Sequence, residues 1–537
     1  MSAISDELTA QQQGPTRLSS THCDSPEERI HKWPATIAVM LGMMTTIMAS
    51  TMANVAIADI MGAYGVGQDR AHWISSGFLS ATTVFMLLNA WCVKNFGARR
   101  TLLIACAIFT GASFLGQLSP TYGGIVVARI AQGACAGIIQ PLALSVIYSV
   151  FPSSERGKAM GMFGVGVMLG PALGPIYGGY IIDTIGWRYV FTGSLPFMFL
   201  GALMGLRYLP QRTVGATDQK LNWISLTLVS LSIAAFLNGI SLAPRLGWHS
   251  LTVVFLLFSA GLAMIAFVEV ESRTNNPLLN VRLFTIRSFT VVSLIGFVFG
   301  IGMFASFYLM PLYLRTVQGF TGTKTGGLLL LSELVTFLIF PIAGWLIQRV
   351  NPVYPVAVGM ALFSVSSFTL TSIDVNSGFW FLIVCISIGR VGLGLAITAL
   401  NAAALQGLDR DLVSYGAGTM NFIRMLGGAI GVNLIAIVLE TRANFYADHF
   451  TAAQTSLNGS TGGVIESLLN MLSVDGMSNT ERLPYAMTYL GQMITAKANV
   501  LAFQDAYLVL AVAFILATLL ALTMAKISRK PGFSPDI

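Results

Sequence analysis

Fourteen stretches of roughly 18 to 27 mostly apolar residues, running from Ala35 to about residue 526, decide what this chain can fold into. As a helix, each is long enough to cross about 30 Å of hydrocarbon. In lipid, only a helix or a closed barrel satisfies its own backbone, and runs of this length are helical ones. The 537 residues would otherwise suggest three or four soluble domains, but 55% hydrophobic against 10% charged residues cannot cover a soluble surface. The fold class expected is therefore an all-α polytopic membrane protein.

With the N-terminus placed inside and the runs alternating, roughly 19 Lys and Arg fall on the cytoplasmic side against about 8 outside. The net charge of +7 is thus a topology signal spread through short loops, with no basic and aromatic cluster for nucleic acid. Residues 1–34 read as a disordered cytoplasmic tail without a signal peptide, and 527–537 as a second cytoplasmic tail. The segment 440–500 is the one long outer-face loop, with helix-like patches at 466–472 and 481–499. It reads equally as a tolerated insertion or a docking element. The cysteines have no paired spacing and the histidines no metal-ligand spacing, so no metal site and no cofactor are expected. A P-loop is absent, which removes ATP hydrolysis by that route, and the chain is not expected to be an enzyme.

Within the run 158–182, Gly166, Gly170, Gly174 and Gly178 recur every fourth residue and form a bare stripe for close helix packing. Pro171 and Pro175 each remove a backbone donor. In water these residues would disfavour the helix by about 1 and 3 kcal/mol each, whereas in lipid neighbouring helices re-satisfy what they free. Three arginines, Arg129, Arg390 and Arg424, lie inside apolar runs at a cost of at least about 2.5 kcal/mol each. Each is either functional or a structural rivet. Glu333 is the acid well inside a run, in LLLLSELVTFLIF, with Asp59 nearer an outer end. Glu333 reads as a proton or cation carrier, or equally as a carboxyl that is permanently protonated or paired. Arg129 with Gly133 and Gly137 echoes Arg390 with Gly392 and Gly394, a trace of an internal repeat.

The pattern from Gly166 to Gly179, with its two Gly-Pro pairs and Gly178-Gly179, resembles the antiporter motif of drug:proton exporters of the major facilitator superfamily. Arg129, Gln132 and Gly133 resemble that superfamily's fourth-helix motif, and Gly97, Arg99 and Arg100 its gating loop. Thr51, Asn54, Val55 and Ala56, the Trp187-Arg188 pair, and Arg424 with Gly427 and Gly428 extend the likeness to the fourteen-spanner family of multidrug resistance protein B and the quaternary-ammonium exporters. The chain departs from that family at Ala49, Lys94 and Ser194, where an aspartate, an acidic residue and an asparagine are usual.

The resemblance implies a major facilitator fold of fourteen helices arranged 6+2+6. Its parts are a half at 35–210, an extra pair at 221–270, and a second half made of 289–439 and 501–526. It implies proton-coupled multidrug efflux by alternating access across a bacterial inner membrane, with both termini cytoplasmic. Expected partners are the bilayer, protons and hydrophobic or cationic substrates, with a periplasmic adaptor and outer-membrane channel as in Gram-negative relatives. Arg129, Glu333 and Asp59 are the expected proton-coupling residues, and Asn54, Gln132, Phe304, Phe307, Tyr308 and Arg424 the expected pocket. Two rival functions stay open: export of one metabolite, siderophore or fatty acid, and a non-transporting membrane receptor or assembly subunit.

Overall fold

A computed structural model describes residues 26–151, 156–209, 221–274, 277–406, 408, 412–454, 459–474 and 479–527, which form helices and connections with no strand among them. The first half comprises α1 (Pro26–Tyr64), the single turn α2 (Gln68–Ala71), α3 (Trp73–Met86), α4 (Asn89–Leu118), α5 (Tyr122–Val150), α6 (Arg156–Thr184) and α7 (Leu195–Tyr208). An intervening pair follows, α8 (Trp223–Leu246) and α9 (Leu251–Arg273). The second half comprises α10 (Arg287–Thr316), α11 (Gly322–Ile347), α12 (Val353–Thr369), α13 (Phe379–Leu405), α14 (Val413–Ala453) and α16 (Asn479–Ile527), with α15 (Gly459–Val474) before the last helix.

Twelve helices among the described residues are long and apolar enough to cross a membrane. The remaining two runs, 73–93 and 158–182, are also helical. The first is divided: α3 ends at Met86, a turn at Leu87–Leu88 intervenes, and α4 begins at Asn89. A second break falls at Gly97, whose φ of 77° an L side chain rarely adopts. Outward faces carry large apolar side chains, as along α9, where Leu251, Phe255, Phe258, Leu262 and Ile265 are all exposed at alternating four- and three-residue steps. That stripe would favour aggregation in water and is the lipid contact of a membrane helix.

The two halves pack by the same plan. In the first, α1 lies on α6 and α7, α3 on α5, and α5 on α4; in the second, α10 lies on α14 and α16, α11 on α13, and α13 on α12. The halves meet where α6 packs on α11, α3 on α14, and α1 on α10. These are the pairings of a two-fold repeat, and they place α5 and α13, which carry Arg129 and Arg390, at equivalent positions. The pair α8 and α9 packs on itself and leans through α8 on α3 and α14.

Two boundaries differ from the sequence expectation. Helix α1 already starts at Pro26, inside the expected tail, while residues 1–25 and 528–537 lie outside the described residues. The segment 440–500 is mostly helical: α14 continues to Ala453, and the patches at 466–472 and 481–499 fall inside α15 and α16. At 1.5 Å per residue, α14 and α16 are about 62 and 74 Å long, twice the hydrocarbon thickness.

Candidate functional site

The glycine stripe of α6 does what its spacing demands. Gly166, Gly170, Gly174 and Gly178 are buried against Met40, Ile47, Thr51 and Met52 of α1 in succession. A Cβ on Gly170 would lie 2.7 Å from Ile47 Cγ2 and 3.3 Å from the Met44 carbonyl oxygen, so any side chain there forces the helices apart. The opposite side of α6 meets the second half. A Cβ on Gly322 of α11 would lie 2.7 Å from the Gly179 carbonyl oxygen. Asp183 closes that end by accepting the backbone N–H of Gly322 at 2.9 Å and of Thr323 at 2.7 Å, the first turn of α11.

Between α1, α6, α10, α11 and α13 is a small chamber lined by Thr51, Pro171, Pro175, Phe307, Pro311, Leu329, Glu333 and Arg390. Its charged wall is an ion pair, with Arg390 Nε 2.9 Å from Glu333 Oε1 and both side chains buried. Thr336 Oγ1 donates to the other carboxylate oxygen at 3.4 Å. The Arg390 guanidinium lies 4.4 Å over the Phe307 ring, a cation–π contact that helps hold the charge in apolar surroundings. The pair is imperfectly bonded: Nε and Nη1 of Arg390 have no aligned hydrogen-bond acceptor. A buried pair in this state keeps both charges paired but leaves room for a competitor.

Phe307 is fixed by a backbone device. Pro311, four residues on, has no N–H, so the Phe307 carbonyl loses its helical partner. Asn54 of α1 supplies the missing donor, its Nδ2 standing 3.1 Å from that oxygen, while Ser75 Oγ donates to Asn54 Oδ1 at 2.5 Å. One asparagine thus ties α3, α1 and α10 together beside the chamber. Asp59, one and a half turns further along α1, pairs with Arg315 at the far end of α10.

The other sequence candidates lie apart. Arg129 is buried against α3: its Nε donates to the Ile74 carbonyl at 3.0 Å, its Nη1 to Gln132 Oε1 at 2.8 Å, and its guanidinium lies 4.3 Å over Phe78. Gln132 in turn donates to Ser113 Oγ at 2.9 Å. None of these partners is an acid, and Nη2 of Arg129 has no hydrogen-bond partner; Arg129 and Gln132 tie α5 to α3 and α4 and line no part of the chamber. Arg424 donates to Asn421, whose Nδ2 is 3.3 Å from the Met86 sulfur, and it lines no part of the chamber. Phe304 stands edge-on to Phe307 and close to Gly428, and Tyr308 is fully buried with its hydroxyl unpartnered. At the break in α4, Thr101 Oγ1 donates to the Gly97 carbonyl at 2.8 Å, while Arg99 is half-buried and Arg100 exposed.

A second buried polar cluster carries no motif in the sequence. His72, between α2 and α3, turns Nδ1 to the Gln68 carbonyl at 3.2 Å and Nε2 to Asn433 of α14 at 3.2 Å and Ser241 of α8 at 3.4 Å. It joins the two halves and the intervening pair. The signal that bears on the Arg390 pairing was in view: one acid, Glu333, and two arginines, Arg390 and Arg424, lie in apolar runs of the same half, and each needs a counter-charge.

The fold agrees with the comparisons. The family described as Major Facilitator Superfamily matches residues 39–432. The chain belongs to it. It is 28% identical over 427 residues to a multidrug resistance protein B homolog of Mycobacterium tuberculosis, covering 78% of this chain and 79% of that protein. It is 25% identical over 496 residues to the multidrug export protein EmrB of Haemophilus influenzae, covering 91% of this chain and 95% of that one. Among solved structures, a bacterial homologue of the human lysosomal transporter Spinster matches with a TM-score of 0.60 at 14% identity, over 94% of this chain and 99% of that chain, which speaks to the fold. Membership and fold make this superfamily member a multi-span membrane transporter rather than an enzyme.

Proposed function

We propose that this transporter exports hydrophobic cationic or amphipathic compounds across the bacterial inner membrane in exchange for protons, by alternating access around the Glu333 chamber. The observation that carries this reading is the carboxylate of Glu333, held by Arg390 in an aromatic and proline-lined chamber at the junction of the halves. A cation on the face of Phe307 competes with Arg390 for the carboxylate, and so does a proton. Binding of one therefore opposes binding of the other, which is the requirement for antiport. The names of the relatives, multidrug resistance and multidrug export, support the cargo class.

In this reading the fourteen apolar runs all span, as 6+2+6, with both termini cytoplasmic as the Lys and Arg distribution favours. The end of α6 that carries Gly179 and Asp183 is then the outer end. Its contact with α11, together with the Asp59–Arg315 pair, closes that side. Gly97, Arg99 and Arg100 belong to the opposite, cytoplasmic gate. The parts of α14, α15 and α16 beyond the bilayer stand outside, where a periplasmic adaptor leading to an outer-membrane channel would dock.

The test is uptake of a fluorescent lipophilic cation into inside-out vesicles, with and without an imposed pH gradient. Gradient-driven uptake supports the proposal. Uptake indifferent to the gradient for a panel of such cations overturns it.

A further inference from the structure

Arg390 has a second face. A separate chamber, lined by Arg390 but not by Glu333, lies within the second half between α10, α12, α13 and α16. It has room for about one water-sized occupant. Its polar lining consists of Arg390 and the hydroxyls of Ser306, Ser366, Ser367 and Tyr507, and no carboxylate faces it. Ser366 already donates to the Cys385 carbonyl at 2.7 Å. Ser306 and Ser367 have no side-chain hydrogen bond among the described residues, and the Tyr507 hydroxyl has only a 3.9 Å contact with the Met310 sulfur. Gly389 keeps the space open, because a Cβ there would lie 2.7 Å from Ser366 Oγ. Arg390, 2% exposed, lines this chamber and keeps Nη1 without an acceptor.

Uncommitted hydroxyl donors around a buried guanidinium are the chemistry of an anion site. We infer that this chamber binds a monatomic anion, chloride being the abundant one, and that the anion takes over as counter-charge to Arg390 whenever Glu333 is neutralised. The inference shares the ion pair with the function proposed above, but it needs neither transport nor a drug. A guanidinium keeps its charge, and a buried charge with no partner is costly. Glu333 and the anion are therefore alternatives: the carboxylate leaves Arg390 little need of chloride, and its neutralisation raises the chamber's affinity. Size adds a selectivity, since room for about one small occupant excludes a carboxylic acid or sulfate.

The full-length protein, purified in detergent in sodium gluconate, is titrated with sodium chloride, and binding is read from chloride-35 NMR line broadening. Glu333→Gln is expected to bind chloride at least tenfold more tightly than wild type. Tyr507→Phe or Ser306→Val added to that variant should weaken binding about tenfold. Acetate should not displace the halide. Should Glu333→Gln aggregate on size exclusion, wild type is compared with Tyr507→Phe and Ser306→Val, with the same tenfold loss expected. Broadening that is insensitive to Glu333→Gln in a monodisperse protein, or unchanged by both hydroxyl variants, overturns the inference whether or not drug transport is found.

Discussion

Asn54 of α1 donates to the main-chain carbonyl of Phe307 on α10, and it does so because Pro311 has taken that carbonyl's own helical partner away. The asparagine is therefore a surrogate rung of the α10 helix, supplied from the other half of the molecule. Removing it as Asn54→Ala strands a buried carbonyl, at about 1–3 kcal/mol. Restoring the N–H with Pro311→Ala should return most of that loss. Thermal unfolding of the two single variants and the double variant checks it, and strictly additive losses would contradict this account of the pair.

The Glu333–Arg390 pair should behave as a buried pair rather than a surface one. Truncating either partner alone, as Glu333→Ala or Arg390→Ala, leaves a lone charge in hydrocarbon and should cost about 3–5 kcal/mol. Replacing both together with Glu333→Leu and Arg390→Met should recover much of that stability while transport stays absent. The measurement is thermal unfolding of the purified variants beside vesicle transport.

Along the α1–α6 seam the expected effect follows size. Gly170→Ala should lower export several-fold, and Gly170→Leu should abolish it while protein remains in the membrane. Immunoblotting of membranes alongside a resistance assay reads both, and wild-type export by Gly170→Leu would contradict the seam's role.

His72 gives the chain a pH-dependent stability. Burial lowers its pKa from 6.5 to about 4, against a smaller upward pull from the Gln68 carbonyl and Asp69. The unfolded chain therefore binds the proton first. The contribution is complete above pH 6.5 and is lost as pH falls from there toward 4, on the order of 3 kcal/mol in all. His72→Gln should flatten unfolding temperature against pH over that window, whereas an unchanged slope would move the dependence to another group.

Much of the fold was legible because lipid enforces a simple rule. A run such as 251–270 has to be a helix, and the four-residue stripe of Gly166 to Gly178 has to meet another backbone. The Gly-Pro pairs lie on that same helix, α6, which contacts α1 on one side and α11 on the other. Partnership was less legible, because it depends on which helices become neighbours. Glu333 could be singled out as an isolated acid, yet its bond to Arg390 exists only once α11 packs on α13. Arg129 looks alike in sequence, but α5 packs on α3, whose Ile74 carbonyl accepts from it, and Gln132 of α5 itself is the other acceptor. Asn54 is expected from the sequence as a pocket residue, and its bond to the Phe307 carbonyl emerges only with Pro311 across the interface. The helical character of 440–500 was half visible in its patches, while the continuation of α14 and α16 through it was hidden by its polar residues.

The central claim is that proton and cargo compete for Glu333. It is tested most directly by adding a saturating lipophilic cation to purified protein in weakly buffered solution and recording the protons released. The account predicts release by wild type and none by Glu333→Gln, with the variant still binding the dye-labelled cation, if more weakly. Undiminished proton release from Glu333→Gln would contradict it.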